Sequence, residues 1–111
     1  MVESDLQDPL TIEFTTKTQA LILAVPAILQ PLLAGYAQSI WASELTDDVE
    51  ERLDLADEQL ELIRGIQRIY KDDGTYFNPA SKALCRIEVL AEKIFHPNAY
   101  RKFIRNLTEP R

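Results

Sequence analysis

The pattern of apolar and polar positions is clearest between residues 47 and 70, where it predicts one long helix. Asp47 is expected to cap this helix, with acidic residues in its first turn and basic residues in its last, which suits the helix dipole. Further leucine and isoleucine side chains widen the apolar stripe, and a stripe this wide favours packing against more than one neighbour, as in a bundle. The stripe, at alternating spacings of four and three, consists of Val49, Leu53, Ala56, Leu60, Ile63, Gln67 and Tyr70.

Two more helices are predicted after it. The loop KDDGTYFNP ends the long helix, and Gly74 is expected to adopt the left-handed conformation there. Asn78 then caps a helix over residues 79–95, which has proline at its first position and ends before His96. A short helix follows from about residue 98 to 107. Its apolar residues are expected to face the core, and they are Tyr100, Phe103, Ile104 and Leu107.

The start of the chain has a different pattern. Residues 1–9 are interpreted as a flexible acidic tail. In residues 10–16, LTIEFTT, apolar and polar β-formers alternate, which indicates a short extended segment or a packed arm. A helix is expected from Thr16, because Thr16 and Gln19 fit a capping box.

The least polar stretch, ALILAVPAILQPLLAGYA at residues 20–37, contains two prolines. Pro26 breaks a first helix, and Pro31 suits the first turn of a second helix that runs to Glu44. The stretch is about as long as a short membrane span, but Gln30 and both prolines lie inside it and basic flanks are missing. We expect it to form the central element of a soluble bundle, with membrane contact as the alternative.

These elements predict an all-α fold, a compact antiparallel bundle of four to five helices whose first helical region is broken by prolines. The chain has 111 residues, 46% of them hydrophobic, which suits a single domain over residues 1–111. Its one cysteine, Cys85, excludes an internal disulfide, and the acidic first residues do not resemble a signal peptide. A cytoplasmic location is therefore expected.

The net charge of −6 is unevenly distributed. Residues 1–62 hold 13 acidic and 2 basic side chains, whereas residues 63–111 hold 5 acidic and 10 basic ones. An acidic protein repels phosphate backbones, so no nucleic-acid partner is expected. The two halves either attract each other, within one fold or across a dimer, or the basic half forms a surface for an acidic partner or for anionic lipid heads.

Motifs for catalysis, cofactors or metals are missing from the sequence. His96 is the only histidine, and neither His-x-x-x-His nor Cys-x-x-Cys occurs. Cys85 lies about three helical turns from His96, so the two do not form a natural pair. We expect Cys85 to be a small buried residue, His96 to serve a helix end, and Asp72-Asp73 to lie in a turn. The protein is predicted not to be an enzyme.

The last helix carries the candidate partner surface, formed by Tyr100, Arg101, Lys102 and Arg105. Arg101 and Arg105 share one face at spacing i, i+4, opposite the apolar stripe of the helix. This surface either binds a partner or is the solvated side of an ordinary amphipathic helix.

Residues 60–109 contain the segments LELIRGIQRIYKDDGTYFNP, ALCRIEVLAEKIF and AYRKFIRNLTE, and this layout resembles the immunity proteins against pediocin-type bacteriocins. The closest similarity is IRNLTE, from Ile104 to Glu109. The resemblance implies a small cytosolic four-helix bundle that acts without catalysis. It also implies that the protein engages a membrane sugar-transporter receptor once the toxin is bound, with specificity set by its C-terminal half, where the candidate partner surface lies.

We therefore expect a small soluble non-enzymatic protein that acts through protein–protein interaction, in an immunity-like or regulatory role. The partner is not named by the sequence, and a homodimer is one form of this interaction. The alternative is a peripheral membrane-associated protein that uses residues 20–37.

Overall fold

The computed structural model describes residues 8–108, and the all-α bundle predicted for the chain is confirmed over this range, which contains no strand. Residues 1–7 of the predicted acidic tail lie outside the described part, while Pro9 already begins the first helix. The five helices are α1 (Pro9–Leu23), α2 (Gln30–Leu45), α3 (Val49–Asp72), α4 (Phe77–Phe95) and α5 (Pro97–Thr108).

Helix α2 lies at the centre of the bundle and packs against α1, α3 and α4. It is antiparallel to α1, since the Trp41 indole donates a 3.0 Å hydrogen bond to Thr11 near the start of α1. It is likewise antiparallel to α3, because Ser39 donates to the Leu55 carbonyl at 3.1 Å. The core residues are Phe14 of α1, Leu29, Leu33, Tyr36 and Ala37 in and before α2, Ile66 of α3, and Ala80, Ala83, Ile87, Ala91 and Ile94 of α4.

The predicted break at the prolines is confirmed. Helix α1 ends at Leu23, Pro26 precedes a 3₁₀ turn, and α2 carries Pro31 in its first turn. The Gln30 side chain donates a 3.0 Å hydrogen bond to the Val25 carbonyl, which satisfies an acceptor at the corner. Only the second part of the apolar stretch is central, because Leu23 remains exposed in α1.

The expectation of an extended segment over residues 10–16 is wrong, because these residues belong to α1. Pro9 occupies the first turn, where its missing N–H costs nothing. The threonines are accommodated because their hydroxyls bond locally: Thr11 donates to the Asp8 carboxylate at 3.2 Å, and Thr18 donates to the Phe14 carbonyl at 2.8 Å. Thr16 lies inside this helix and does not cap it.

The ends of α3 differ from those predicted. Asp48, not Asp47, is the N-cap, and its carboxylate accepts a hydrogen bond from the Glu50 N–H at 3.1 Å. At the other end Gly74 is not left-handed. The turn is closed instead by Asp73, whose carboxylate accepts from the Thr75 N–H and hydroxyl at 3.0 and 2.8 Å. These bonds favour the ionised carboxylate and lower the pKa of Asp73.

Helix α4 begins earlier than predicted. Its first residue is Phe77 and its N-cap is Tyr76, so Asn78 lies inside the first turn and does not cap it. The preceding 3₁₀ turn, Gly74–Tyr76, continues directly into the helix, which removes the need for a polar cap. The end before His96 agrees with the prediction.

Two glycines allow α2 and α3 to lie close together. A Cβ atom on Gly35 would come within 3.3 Å of a Leu62 methyl group, and one on Gly65 would come within 3.4 Å of a Leu32 methyl group. Each glycine therefore makes room for a leucine of the facing helix. The inner face of α3 is fixed against α2 by this packing, and its opposite face is directed away from the bundle.

Candidate protein-interaction surface

Helix α3 has two apolar faces. The inner face packs on α2 through Leu62, Ile66 and Ile69, and Ile66 is completely buried. Near the middle of the helix, the Gln59 amide also donates to the Ser39 hydroxyl at 3.3 Å. These residues explain why α3 is held in the bundle.

The outer face of α3 consists of Val49, Leu53, Ala56 and Leu60, which we call the outer stripe. Val49, Leu53 and Leu60 are 67%, 61% and 50% exposed, and Ala56 is exposed as well. The expectation that a second neighbour covers this stripe is wrong for residues 8–108. Helix α4 approaches α3 mainly near the loop that joins them, where Tyr70 contacts the Phe77 ring edge-on at 5.1 Å.

Charged residues follow one edge of the outer stripe at intervals of seven residues, and their sign changes halfway. Glu50 and Asp57 precede Arg64 and Lys71, and all four are exposed. Within residues 8–108, Arg64 is the only one of these four that forms an ion pair. Its partner is Glu61, one turn away at 2.8 Å. Sequence reasoning missed this edge, although a recurrence of seven residues is a readable signal.

Helix α5 carries the four residues of the candidate partner surface. Tyr100 is half-buried, whereas Arg101, Lys102 and Arg105 are exposed. The expectation that the apolar residues of α5 face the core is wrong for three of the four, because Phe103 and Leu107 are 60% and 66% exposed and Ile104 is also exposed. The reason is that α5 packs chiefly against the end of α4 and has no helix on its other side within the described residues.

The single histidine links two helices. His96 follows the last residue of α4, and its Nε2 atom lies 2.8 and 2.9 Å from the two carboxylate oxygens of Glu44 at the end of α2. This contact, with the 2.8 Å hydrogen bond from Tyr36 to Glu88, shows that α2 and α4 run parallel. No group of His, Cys, Asp and Glu residues that could hold a metal ion occurs between residues 8 and 108.

The hydroxyl of Tyr36 is a polar group within the core. Burial raises the pKa of Tyr36, and its hydrogen bond to Glu88 and the charge of that carboxylate raise it further. The phenol is therefore a neutral donor that joins α2 to α4. This pairing has no signal in the sequence, because the two residues lie far apart along the chain.

Cys85 is exposed, so the expectation that it is buried is wrong. It lies beside the buried stripe of α4, at the margin of an open groove between α1 and α4 of about 490 Å³. Lys17, Arg86 and Lys93 line the same groove. A second groove, of about 380 Å³ between α1 and α2, is lined by Phe14, Trp41 and a mixture of aliphatic, threonine and glutamine side chains.

None of the helices within residues 8–108 combines the length and apolar character needed to cross a lipid bilayer. Comparison of the chain with models of protein families, with curated proteins and with solved structures finds no match. The relationship to bacteriocin immunity proteins therefore stays a prediction.

Proposed function

We propose that the protein is a non-enzymatic helical bundle that acts by binding a protein, with the outer stripe of α3 as its main contact surface. The observation that carries this proposal is the exposure of Val49, Leu53 and Leu60 on one helix face. Contiguous apolar patches on the surface of a protein mark interaction sites more often than single exposed leucines do. The surrounding charges supply the polar rim that protein interfaces usually have.

Binding through this stripe is tested by substitution at its centre. Leu53→Asp places a charge in the apolar contact and should abolish retention of the partner by the immobilised protein in an extract of the native cell. The neighbouring substitution Asp54→Asn lies off the stripe, changes the charge by one unit and should retain the partner. If mild crosslinking in the native cell and light scattering both show an isolated monomer, the proposal fails.

The immunity-like role is a specific form of this proposal, and it uses the basic surface of α5. Arg101, Lys102 and Arg105 are exposed there and are available to an acidic partner. Expression of the protein should then protect a bacteriocin-sensitive cell, and a variant with glutamine at all three positions should lose that protection. Failure to protect against a broad panel of bacteriocins would remove this form of the proposal.

The membrane alternative has one supporting observation. Leu23 and Ile28 lie close to the proline corner and are 65% and 52% exposed. Most of the remaining apolar side chains of residues 20–37 serve the core, however, and Leu29 and Leu33 are fully buried. A surface contact through the corner predicts sedimentation with lipid vesicles that survives high salt, and complete recovery in the supernatant would exclude it.

The cytoplasm is the proposed location. Cys85 is a free and exposed thiol, and such thiols persist where glutathione keeps them reduced. Fractionation of the native cell tests this proposal, because recovery of the protein outside the cytoplasmic fraction would contradict it.

A further inference from the structure

We infer that the protein which covers the outer stripe is a second copy of this chain, bound through antiparallel pairing of the two α3 helices. The inference rests on the proposed function and names its partner. Its basis is the match between apolar and charged positions of α3 when the helix is placed against a reversed copy of itself.

The apolar positions fit one antiparallel register. Spacings of four and three along α3 are those of a helix that pairs with another helix along a narrow seam. In the register that we propose, Leu60 lies opposite Ile63 of the second copy, and Leu53 lies opposite Tyr70. Ile63 and Tyr70 are half-buried against the core of their own chain, so each offers only its exposed part to the second copy. Ala56, the smallest residue of the stripe, then meets the long side chain of Gln67, so that a small residue faces a large one.

The same register brings opposite charges together along the free edge of the stripe. Glu50 lies beside Lys71 of the second copy, and Asp57 lies beside Arg64. Since the two-fold axis repeats each contact, all four edge positions of each chain face the opposite sign. The acidic first half and basic second half of α3 thus complement each other across the dimer, which is a form of the attraction suggested by the charge distribution.

Other arrangements of the two helices bring like charges together. A slip of one heptad in one direction puts Asp57 against its own copy, and a slip in the other direction puts Arg64 against its own copy. Parallel pairing places the two acidic halves side by side. Because like charges in contact disfavour an assembly, the sequence of α3 selects one register and one orientation.

The structure leaves only one side of α3 open to a second copy. The inner face is occupied by α2, and Ile66 is buried there. A pair formed through the outer stripe and its continuation along Ile63, Gln67 and Tyr70 uses the same surface on both chains, so it closes as a dimer and does not extend into a filament. The two α3 helices would lie in the middle of the assembly, each with its own α2 behind it.

The first experiment measures association by sedimentation equilibrium. We expect the wild-type chain to be a dimer, and we expect two charge-reversed variants, Glu50→Lys/Asp57→Lys and Arg64→Glu/Lys71→Glu, to raise its dissociation constant at least about tenfold each. An equimolar mixture of the two variants should dimerise again. The control Asp54→Lys/Glu58→Lys changes the net charge as much as the first variant, but at exposed positions away from the seam and outside the Arg64–Glu61 ion pair, and should remain dimeric.

The second experiment determines orientation by disulfide formation, in a Cys85→Ser background that removes the natural thiol. Ala56→Cys and Gln67→Cys are at exposed positions, so neither should disturb folding. A mixture of these two variants should form a mixed disulfide dimer, while Ala56→Cys alone should not link to itself. Self-linking of Ala56→Cys would indicate parallel pairing and would overturn the inference.

A wild-type chain that stays monomeric up to about 100 μM also overturns the inference. So does a dimer that neither charge-reversed variant weakens. If the chain is monomeric and Leu53→Asp still abolishes retention of a different protein from the native extract, the proposed function stands and only the choice of partner is wrong. If both the dimer and the retained protein are missing, both proposals fail.

Discussion

Helices α2 and α3 are antiparallel neighbours, yet they use their apolar residues in opposite ways. Helix α2 has apolar residues on most of its sides, and Leu33 is completely buried because other helices surround it. Helix α3 separates apolar from charged residues far more regularly. Nevertheless Leu53, in the most regular part of its pattern, is 61% exposed.

This difference teaches that periodicity and burial are separate properties. A regular spacing shows which residues share a helix face, but it does not show whether the same chain covers that face. Burial depends on the number of neighbours, and the two connections of α2 place it between α1, α3 and α4. No other element within residues 8–108 covers the outer stripe of α3, and this exposure is the observation on which the proposed interaction rests.

The contrast between α2 and α3 predicts that shortening a leucine side chain destabilises the protein far more in α2 than in α3. Leu33→Ala should lower the free energy of unfolding by about 2–5 kcal/mol, because a buried leucine leaves a cavity. Leu53→Ala should change it by less than about 0.5 kcal/mol in the monomer, since its side chain is largely in water. Urea unfolding followed by circular dichroism, at a concentration that keeps the chain monomeric, measures both. Equal losses would show that the outer stripe is buried.

A smaller effect is expected where α2 buries a polar group. Tyr36→Phe removes the 2.8 Å hydrogen bond to Glu88 and should lower the free energy of unfolding by about 1 kcal/mol near neutral pH. The pKa of Tyr36 is raised on folding, so above about pH 10 the unfolded chain releases a proton that the folded chain keeps.

The stabilisation that Tyr36 provides is therefore complete below pH 10 and is lost as the pH rises towards the pKa of the folded state. The wild-type advantage over Tyr36→Phe should shrink in alkaline solution, which unfolding curves at increasing pH can measure. Parallel pH profiles for the two proteins would contradict the assignment of a buried neutral phenol.

The N-cap of α3 provides a further test of the contrast with α2. A helix that packs on one side only depends more on its capping residues for stability. Asp48→Ala should lower the free energy of unfolding by about 1 kcal/mol through loss of the N-cap. Asp47→Ala removes the same charge one residue earlier and should change it by less than about 0.5 kcal/mol. Urea unfolding measures both changes. If Asp47→Ala lowered the free energy of unfolding more than Asp48→Ala does, Asp47 would be the N-cap, as expected from the sequence.

The smallest effect is expected at the end of α3. Gly74→Ala should raise the free energy of unfolding by about 0.4–1 kcal/mol, since the backbone is not left-handed and a Cβ there meets nothing within 4 Å. Gly35→Ala should raise the free energy of unfolding by a smaller amount, because its Cβ would approach Leu62 to 3.3 Å. Thermal unfolding measures both. Destabilisation by Gly74→Ala would favour the left-handed turn expected from the sequence.

Most of the fold could be predicted from sequence because its signals are local. Pro26 and Pro31 remove backbone bonds or preset the helix, and the end of α4 before His96 is marked in the same way. The second half of α1 is predicted from Thr16 onward, but residues 9–15 are not predicted as helix. Their threonines and isoleucine favour strands only weakly, and packing of Phe14 against the core overrides that preference.

The candidate site was only partly predictable. The helical spacing that places Leu53 and Leu60 on one face can be read from the sequence. The charged residues that recur every seven positions from Glu50 to Lys71 can be read from it as well. The exposure of these residues cannot be read, because it depends on where α4 and α5 lie after their turns. The basic positions of α5 were predicted to oppose its apolar stripe, but the exposure of Phe103 in that stripe was not predicted.

The close approach of α2 and α3 at Gly35 and Gly65 has a consequence for how the protein can change. These glycines touch Leu62 and Leu32 inside the bundle, yet they determine how far the outside of α3 projects. A larger side chain at either position would push the whole helix outward and tilt the surface that it presents. Variation at these two half-buried positions would thus change how the outer stripe is presented while every residue of the stripe stays the same.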